Sequence, residues 1–246
     1  MWHKPHLLIA LADLLMLAAG AAVLAVGAVW VVRVQALPVQ QVDFVAPLVQ
    51  TRRAEIERVL PPAIQGNFFS VNLETVRGSL ERLPWVRKVE VRRVWPARLQ
   101  VRVEEHRAAA RWGLGRNELV NSHGEVFAAV LPEDQLAAMP LLYGPPGTAP
   151  EVLARHAELV GQFARLGERP VQLLLSPRLA WQLKLDSGLL VNMGREQPKA
   201  PLGVRLQRFI EIYPDTVGKQ ATRPAVVDLR YPNGFAMRVA DEGKGN

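Results

Sequence analysis

WVRKVEVRRVWPARLQVRVEE, from Trp85 to Glu105, decides the fold of the first half of this chain. Val89 and Val91 alternate with charged neighbours, and Leu99, Val101 and Val103 repeat the pattern. Alternation on both sides of Pro96-Ala97 predicts an antiparallel hairpin with one apolar and one charged face. From Arg87 to Arg107 there are seven basic residues and three acidic ones. No aromatic stacking platform is interleaved with these charges, which argues against nucleic acid. A solvated, charge-guarded strand face is the first reading, and an acidic protein partner or polymer is the alternative.

Working upstream, VQQVDFVA (Val39–Ala46) alternates around Val42 and Phe44 and predicts a strand. Thr51 is placed to cap a helix through Ile64 that turns Ile56, Val59 and Leu60 inward, with Pro61 and Pro62 ending or kinking it. Gly66-Asn67 makes a turn. Asn72 caps a second helix carrying Leu73, Val76, Leu80 and Leu83, and Pro84 stops it. Residues 39–106 therefore read as β-α-α-β-β, two helices on one face of a three-stranded sheet.

Further upstream, Leu7 to Val32 is apolar apart from Asp13. As a helix it would reach about 39 Å at ~1.5 Å per residue, enough to cross a bilayer core with tilt. Trp30 near its end suits the interface. The apolar run is too long for a cleaved signal peptide, so an uncleaved anchor is expected. Flanking charge barely sets the orientation. A very short N-terminus before a large folded region favours the N-terminus inside. Asp13 reads either as a contact to another membrane helix or as a carboxylate near the headgroups.

Residues 107–240 read as a second, α+β module with a mostly antiparallel sheet. LVNSHGEVF (Leu119–Phe127) is a hairpin around His123-Gly124, and MPLLYGPPGT (Met139–Thr148) is a Pro/Gly loop after a short helix. Amphipathic helices are expected over 150–167 and 201–213. Strands are expected at Val171–Ser176, Leu179–Leu185 and Leu189–Met193. VDLRYPNGFAMRV (Val227–Val239) closes the sheet as a hairpin turning at Asn233-Gly234. Its second strand has no successor, so its outer edge reads either as an edge guarded by Arg238 and the polar tail or as a site of strand addition by a partner. A polar tail, 241–246, follows.

The chain has a net charge of +7, with +3 in residues 39–106 and +3 in 107–246. The excess is too evenly spread for one nucleic-acid footprint. There is no cysteine, which excludes disulfides and thiolate chemistry. The five histidines have no metal-ligand spacing, no serine stands in a G-x-S-x-G elbow, and YGPPG lacks the lysine of a phosphate loop. Glu104 and Glu105 are strand neighbours facing opposite ways, so they form no acid/base pair. Trp85, Trp95, Trp112 and Trp181 read as core residues rather than a sugar platform. No catalytic residue, cofactor or metal is assigned.

The element order and RLPWVRKVEVRRVWPARLQVRVEE resemble a POTRA domain. LPW followed by V-x-R-x-WP resembles the bacterial FtsQ/DivIB family more narrowly. MPLLYGP, the WQL of Trp181–Leu183, the N-x-G-R run of Asn192–Arg195, RFIEIYP and VDLRYPNG extend the similarity through the second module. Two features depart from the family: the stretch before the span, residues 1–6, is short, and Pro232 stands where a polar turn residue is common.

The resemblance implies a non-enzymatic cell-division scaffold of the inner membrane at the septum. Residues 1–6 would be cytoplasmic, 7–32 would span, and the rest would be periplasmic. It implies capture of the coiled-coil protein FtsB, working with FtsL, by strand addition at the C-terminal edge. Tyr231, Asn233, Gly234 and Phe235 would lie at that surface, with the basic Arg178 beside it. It also implies localisation through FtsK by the POTRA domain, and control of septal peptidoglycan synthesis only through partners. The competing readings are an anchored cell-wall hydrolase and a POTRA-type transport protein. The latter would need long barrel strands that this sequence lacks.

Overall fold

The computed structural model describes residues 5–33, 38–115, 117–217 and 224–239. The polar tail lies outside them. Helix α1 (Pro5–Arg33) contains a stretch, Ile9–Trp30, long and apolar enough to cross a membrane. Its described side chains are exposed all round, as a lipid-facing helix requires. The chain divides into two compact units between His106 and Arg107.

The first unit follows the expected order: β1 (Gln41–Phe44), α2 (Arg53–Ala63), α3 (Leu73–Leu80), β2 (Val86–Val94) and β3 (Arg98–Glu105). The sheet order is β1-β3-β2, with β1 parallel to β3 and β2 antiparallel to it. Ile56 and Leu60 of α2, Val76 and Leu80 of α3, and Val89, Leu99 and Val101 of the hairpin share one core. Asn72 caps α3 as expected, its Oδ1 accepting from the amides of Glu74 and Thr75. Pro61 and Pro62 sit inside the last turn of α2.

Two local expectations change. Thr51 does not cap α2, because Arg52 occupies that position without a side-chain cap. The amides of Val49, Gln50 and Thr51 instead donate to the Glu105 carboxylate. Burial works against ionisation of Glu105, but hydrogen bonds from Thr51, Val49 and Gln50 outweigh it and lower its pKa. Glu104 turns the other way and pairs with Arg87 at 2.7 Å. Finally, Trp95 is not a core residue. It is 68% exposed at the β2–β3 turn, whereas Trp85, Trp112 and Trp181 are buried.

The second unit contains β4 (Ala108–Trp112), β5 (Glu118–Asn121), β6 (Val126–Ala128), α4 (Glu133–Ala138), β7 (Leu141–Tyr143), α5 (Ala149–Phe163), β8 (Pro170–Leu175), β9 (Trp181–Leu185), β10 (Leu190–Gly194), α6 (Leu202–Thr216), β11 (Pro224–Asp228) and β12 (Ala236–Val239). The strands form one sheet ordered β12-β11-β10-β9-β8-β7-β4-β5-β6. Antiparallel pairs predominate, with parallel pairing at β10–β11, β4–β7 and β7–β8.

Part of the expected Pro/Gly loop is therefore strand β7. Three residues are too few to show alternation, and only its position between β4 and β8 makes it a strand. The α5 and α6 helices cover the same face, since Phe163 and Phe209 meet with ring centroids 6.5 Å apart. His156 of α5 is buried, and its Nε2 lies 3.0 Å from the Pro170 carbonyl. Burial lowers its pKa, so the neutral ring donates that bond.

Candidate functional site

The last strand pairs on one side only. Val226↔Arg238, Val227↔Met237 and Asp228↔Ala236 join β12 to β11, and no described strand lies on its other side. All four β12 residues are exposed. Val227 is fully buried, yet its cross-strand neighbour Met237 on the same face is 38% exposed. The core that buries Val227 does not extend over β12. Met237 and Val239 thus leave an uncovered apolar margin beside unpaired backbone groups, which suits an added strand.

The predicted hairpin is present, but its ends are looser than a tight Asn-Gly turn. Residues 229–235 form a seven-residue connection. Leu229 is buried, its amide donating to the Asn192 carbonyl at 2.9 Å. The Arg230 side chain folds back on Asp228, with Nη2 to Oδ2 at 2.6 Å. This hydrogen-bonded guanidinium holds the Asp228 carboxyl below its usual range. Gly194 makes room for that arrangement: it has φ +73°, and a Cβ there would lie 2.7 Å from Arg230 Cγ. The Pro232 carbonyl accepts from Arg208 Nη1 at 2.9 Å.

The proposed contact residues divide into two kinds. Tyr231 and Asn233 are exposed, and space around Gly234 is open. Phe235 is half-buried and sets its ring edge-on to Phe209, with centroids 5.4 Å apart. Most of its apolar surface serves its own core. Arg178 is exposed in the β8–β9 turn and does not run along the edge strand. The antiparallel β9–β10 and parallel β10–β11 pairings put that turn at the same end of the sheet as the 229–235 connection. A shallow depression lined by Ser176, Arg178, Gly194, Arg195, Glu196 and Arg230 lies there.

Three further features had weak sequence signals. Leu179, beside Arg178, has φ 58° and is 59% exposed. A leucine in left-handed backbone is strained, and such strain gathers at functional sites. Ser176 holds it there, its carbonyl accepting from the Leu179 amide and its Oγ from the Ala180 amide. Arg205 is buried beneath the same end of the sheet and donates to four carbonyls. The only hint in the sequence was its place three residues after buried Leu202, on the inward face of α6. Met237 and Val239 were legible as strand residues but not as an exposed margin. Among the described residues no group of three or more His, Asp or Glu side chains could hold a metal ion.

A family model for the FtsQ-type POTRA domain matches residues 37–106. One for the C-terminal region of cell division protein FtsQ/DivIB matches residues 110–230, ending before β12. The chain is 36% identical to cell division protein FtsQ of Burkholderia pseudomallei, covering 88% of this chain and 85% of the relative. It is 33% identical to the FtsQ protein of Bordetella pertussis, covering 98% and 93%. Against the FtsQ protein of Nitrosospira multiformis it is 34% identical, covering 97% and 99%.

Proposed function

This chain belongs to the FtsQ/DivIB family of cell division proteins, and on that basis we propose that it is a non-enzymatic scaffold whose C-terminal edge captures FtsB. The open side of β12 is the observation that carries the reading. An extended segment of FtsB lies along β12, where main-chain hydrogen bonds set its register. Tyr231 and the Met237–Val239 margin give apolar contact, and the remaining exposed edge of Phe235 adds a little. Asn233 and Gly234 let the added strand approach without a bulky side chain in the way. Arg178 meets an acidic partner residue at the sheet end through a charge-assisted hydrogen bond.

In this reading α1 is a single span with the N-terminus cytoplasmic, and both folded units, residues 39–106 and 107–240, are periplasmic. FtsL joins through FtsB. The POTRA domain contributes to localisation through upstream division proteins such as FtsK. The protein links early and late division components and influences septal peptidoglycan synthesis only through them.

The test is capture of FtsB by full-length protein in detergent. Tyr231→Ala and Arg178→Glu should each abolish capture while thermal unfolding stays unchanged. Folded variants that keep full binding remove this assignment. Hydrogen exchange should slow at the β12 amides when FtsB is added.

A further inference from the structure

We propose that the Phe69–Trp95 tip of the first unit seats in the lipid–water interface of the membrane crossed by α1. The tip is an exposed aromatic cluster with a rigid base. The Phe68 ring is buried and meets Phe69 edge-on at 5.2 Å and Trp95 at 6.3 Å. Phe69 is 44% exposed and Trp95 68%. The loop that presents Phe69 is held by Asn67, whose Oδ1 accepts from the amides of Phe69 and Ser70. Arg93 ties that loop to β2, donating to the carbonyls of Phe68, Phe69 and Val71. This much bonding around two solvent-facing rings describes a prepared contact surface rather than a frayed turn.

Covalent reach selects the occupant. The Gln40 amide donates to the Ala97 carbonyl at 2.9 Å, so the chain enters the unit two residues from Trp95. Seven peptide steps separate Gln40 from Arg33, the last residue of α1. At ~3.3–3.6 Å per step they extend at most about 25 Å, whatever their conformation. Gln40 is thus tethered within that distance of the end of α1, and the tip lies only the short span from Ala97 to Trp95 beyond it. Val49 and the Glu105 carboxylate lie at the opposite end of the strands.

The chemistry fits the same occupant. Tryptophan settles at headgroup level, and phenylalanine enters the acyl boundary. Arg92, Arg93 and Arg98 stand within three residues of Trp95 and favour anionic headgroups. The nearby carboxylate, Asp43, is paired with Arg98 at 3.5 Å.

The experiment reconstitutes the full-length protein into phosphatidylcholine–phosphatidylglycerol vesicles, with and without brominated acyl chains. Subtracting the emission of Trp95→Phe isolates the Trp95 signal from that of Trp30 and the other indoles. The expected Trp95 component is quenched by brominated lipid and shielded from aqueous acrylamide. Phe69→Ser should reduce that bromine quenching. A Trp95 component open to acrylamide and indifferent to bromine overturns the proposal. Shielding without bromine quenching also overturns it and points to protein covering the tip. The chain has no cysteine, so spin labels at Gln40→Cys and Lys88→Cys give a reading independent of Trp95. Lower access of a water-soluble relaxer at position 40 than at 88 is expected, and equal access counts against the proposal.

Discussion

Arg205 donates from Nη1 to the carbonyl of Leu229 at 2.7 Å, fastening α6 to the residue that leaves β11 for the edge connection. The same guanidinium donates to the carbonyls of Met193, Arg195 and Ala200. One buried side chain therefore collects the ends of β10 and β11 and the segment leading into α6. Burial lowers its pKa, with Glu196 opposing that effect.

Arg205→Leu should be among the most damaging substitutions in the second unit. It leaves several buried carbonyls without a donor, at a cost of about 3 kcal/mol or more. Arg205→Lys should recover little, because a single ammonium lacks the planar fork that meets several acceptors at once. Thermal unfolding in detergent measures both, and hydrogen exchange should show β12 loosening first.

Leu179→Asn separates local strain from partner contact. Asparagine tolerates left-handed backbone, so the variant should be as stable as the parent or more so, by up to about 1 kcal/mol. It also removes an exposed apolar side chain next to Arg178, and FtsB capture should weaken. A variant that gains stability and binds FtsB normally would show that the strained turn has no part in docking.

His156 makes the second unit sensitive to mild acid. Its folded pKa lies below the ordinary value of 6.5. The unfolded chain therefore takes up a proton that the folded chain refuses. The stabilising difference is full above that ordinary value and shrinks as pH falls below it. Melting temperature should drop between pH ~7.5 and ~5.5 in the parent, and His156→Gln should flatten that part of the profile.

Glu105→Gln should weaken the attachment of the 49–51 segment to β3. A neutral amide oxygen is a poorer acceptor than a carboxylate for three converging amides, and the loss should be roughly 1–2 kcal/mol. Faster hydrogen exchange at Val49, Gln50 and Thr51 is the direct measurement. A similar loss should appear in the parent as pH falls through the lowered pKa of Glu105.

Most of the first unit was legible because its signals are local. Alternation from Val86 to Glu105 and the Asn72 cap need no knowledge of distant residues. The Thr51 capping expectation failed for a non-local reason: Glu105, far along the chain, collects the amides of that segment. Trp95 was misjudged because an exposed indole and a buried one look alike in a sequence. In the second unit, β7 is too short to show a period and exists only through its neighbours. At the edge, the open strand was legible from its position as the final alternating run. Where Arg178 stands relative to that strand was not, since it depends on the parallel β10–β11 pairing that α6 makes possible.

The direction of β12 has a mechanical consequence. A peptide zipped along its free side would share any lengthwise pull among all its backbone bonds at once, in shear, instead of peeling them one by one. A joint of that geometry holds best when tension runs parallel to the strands.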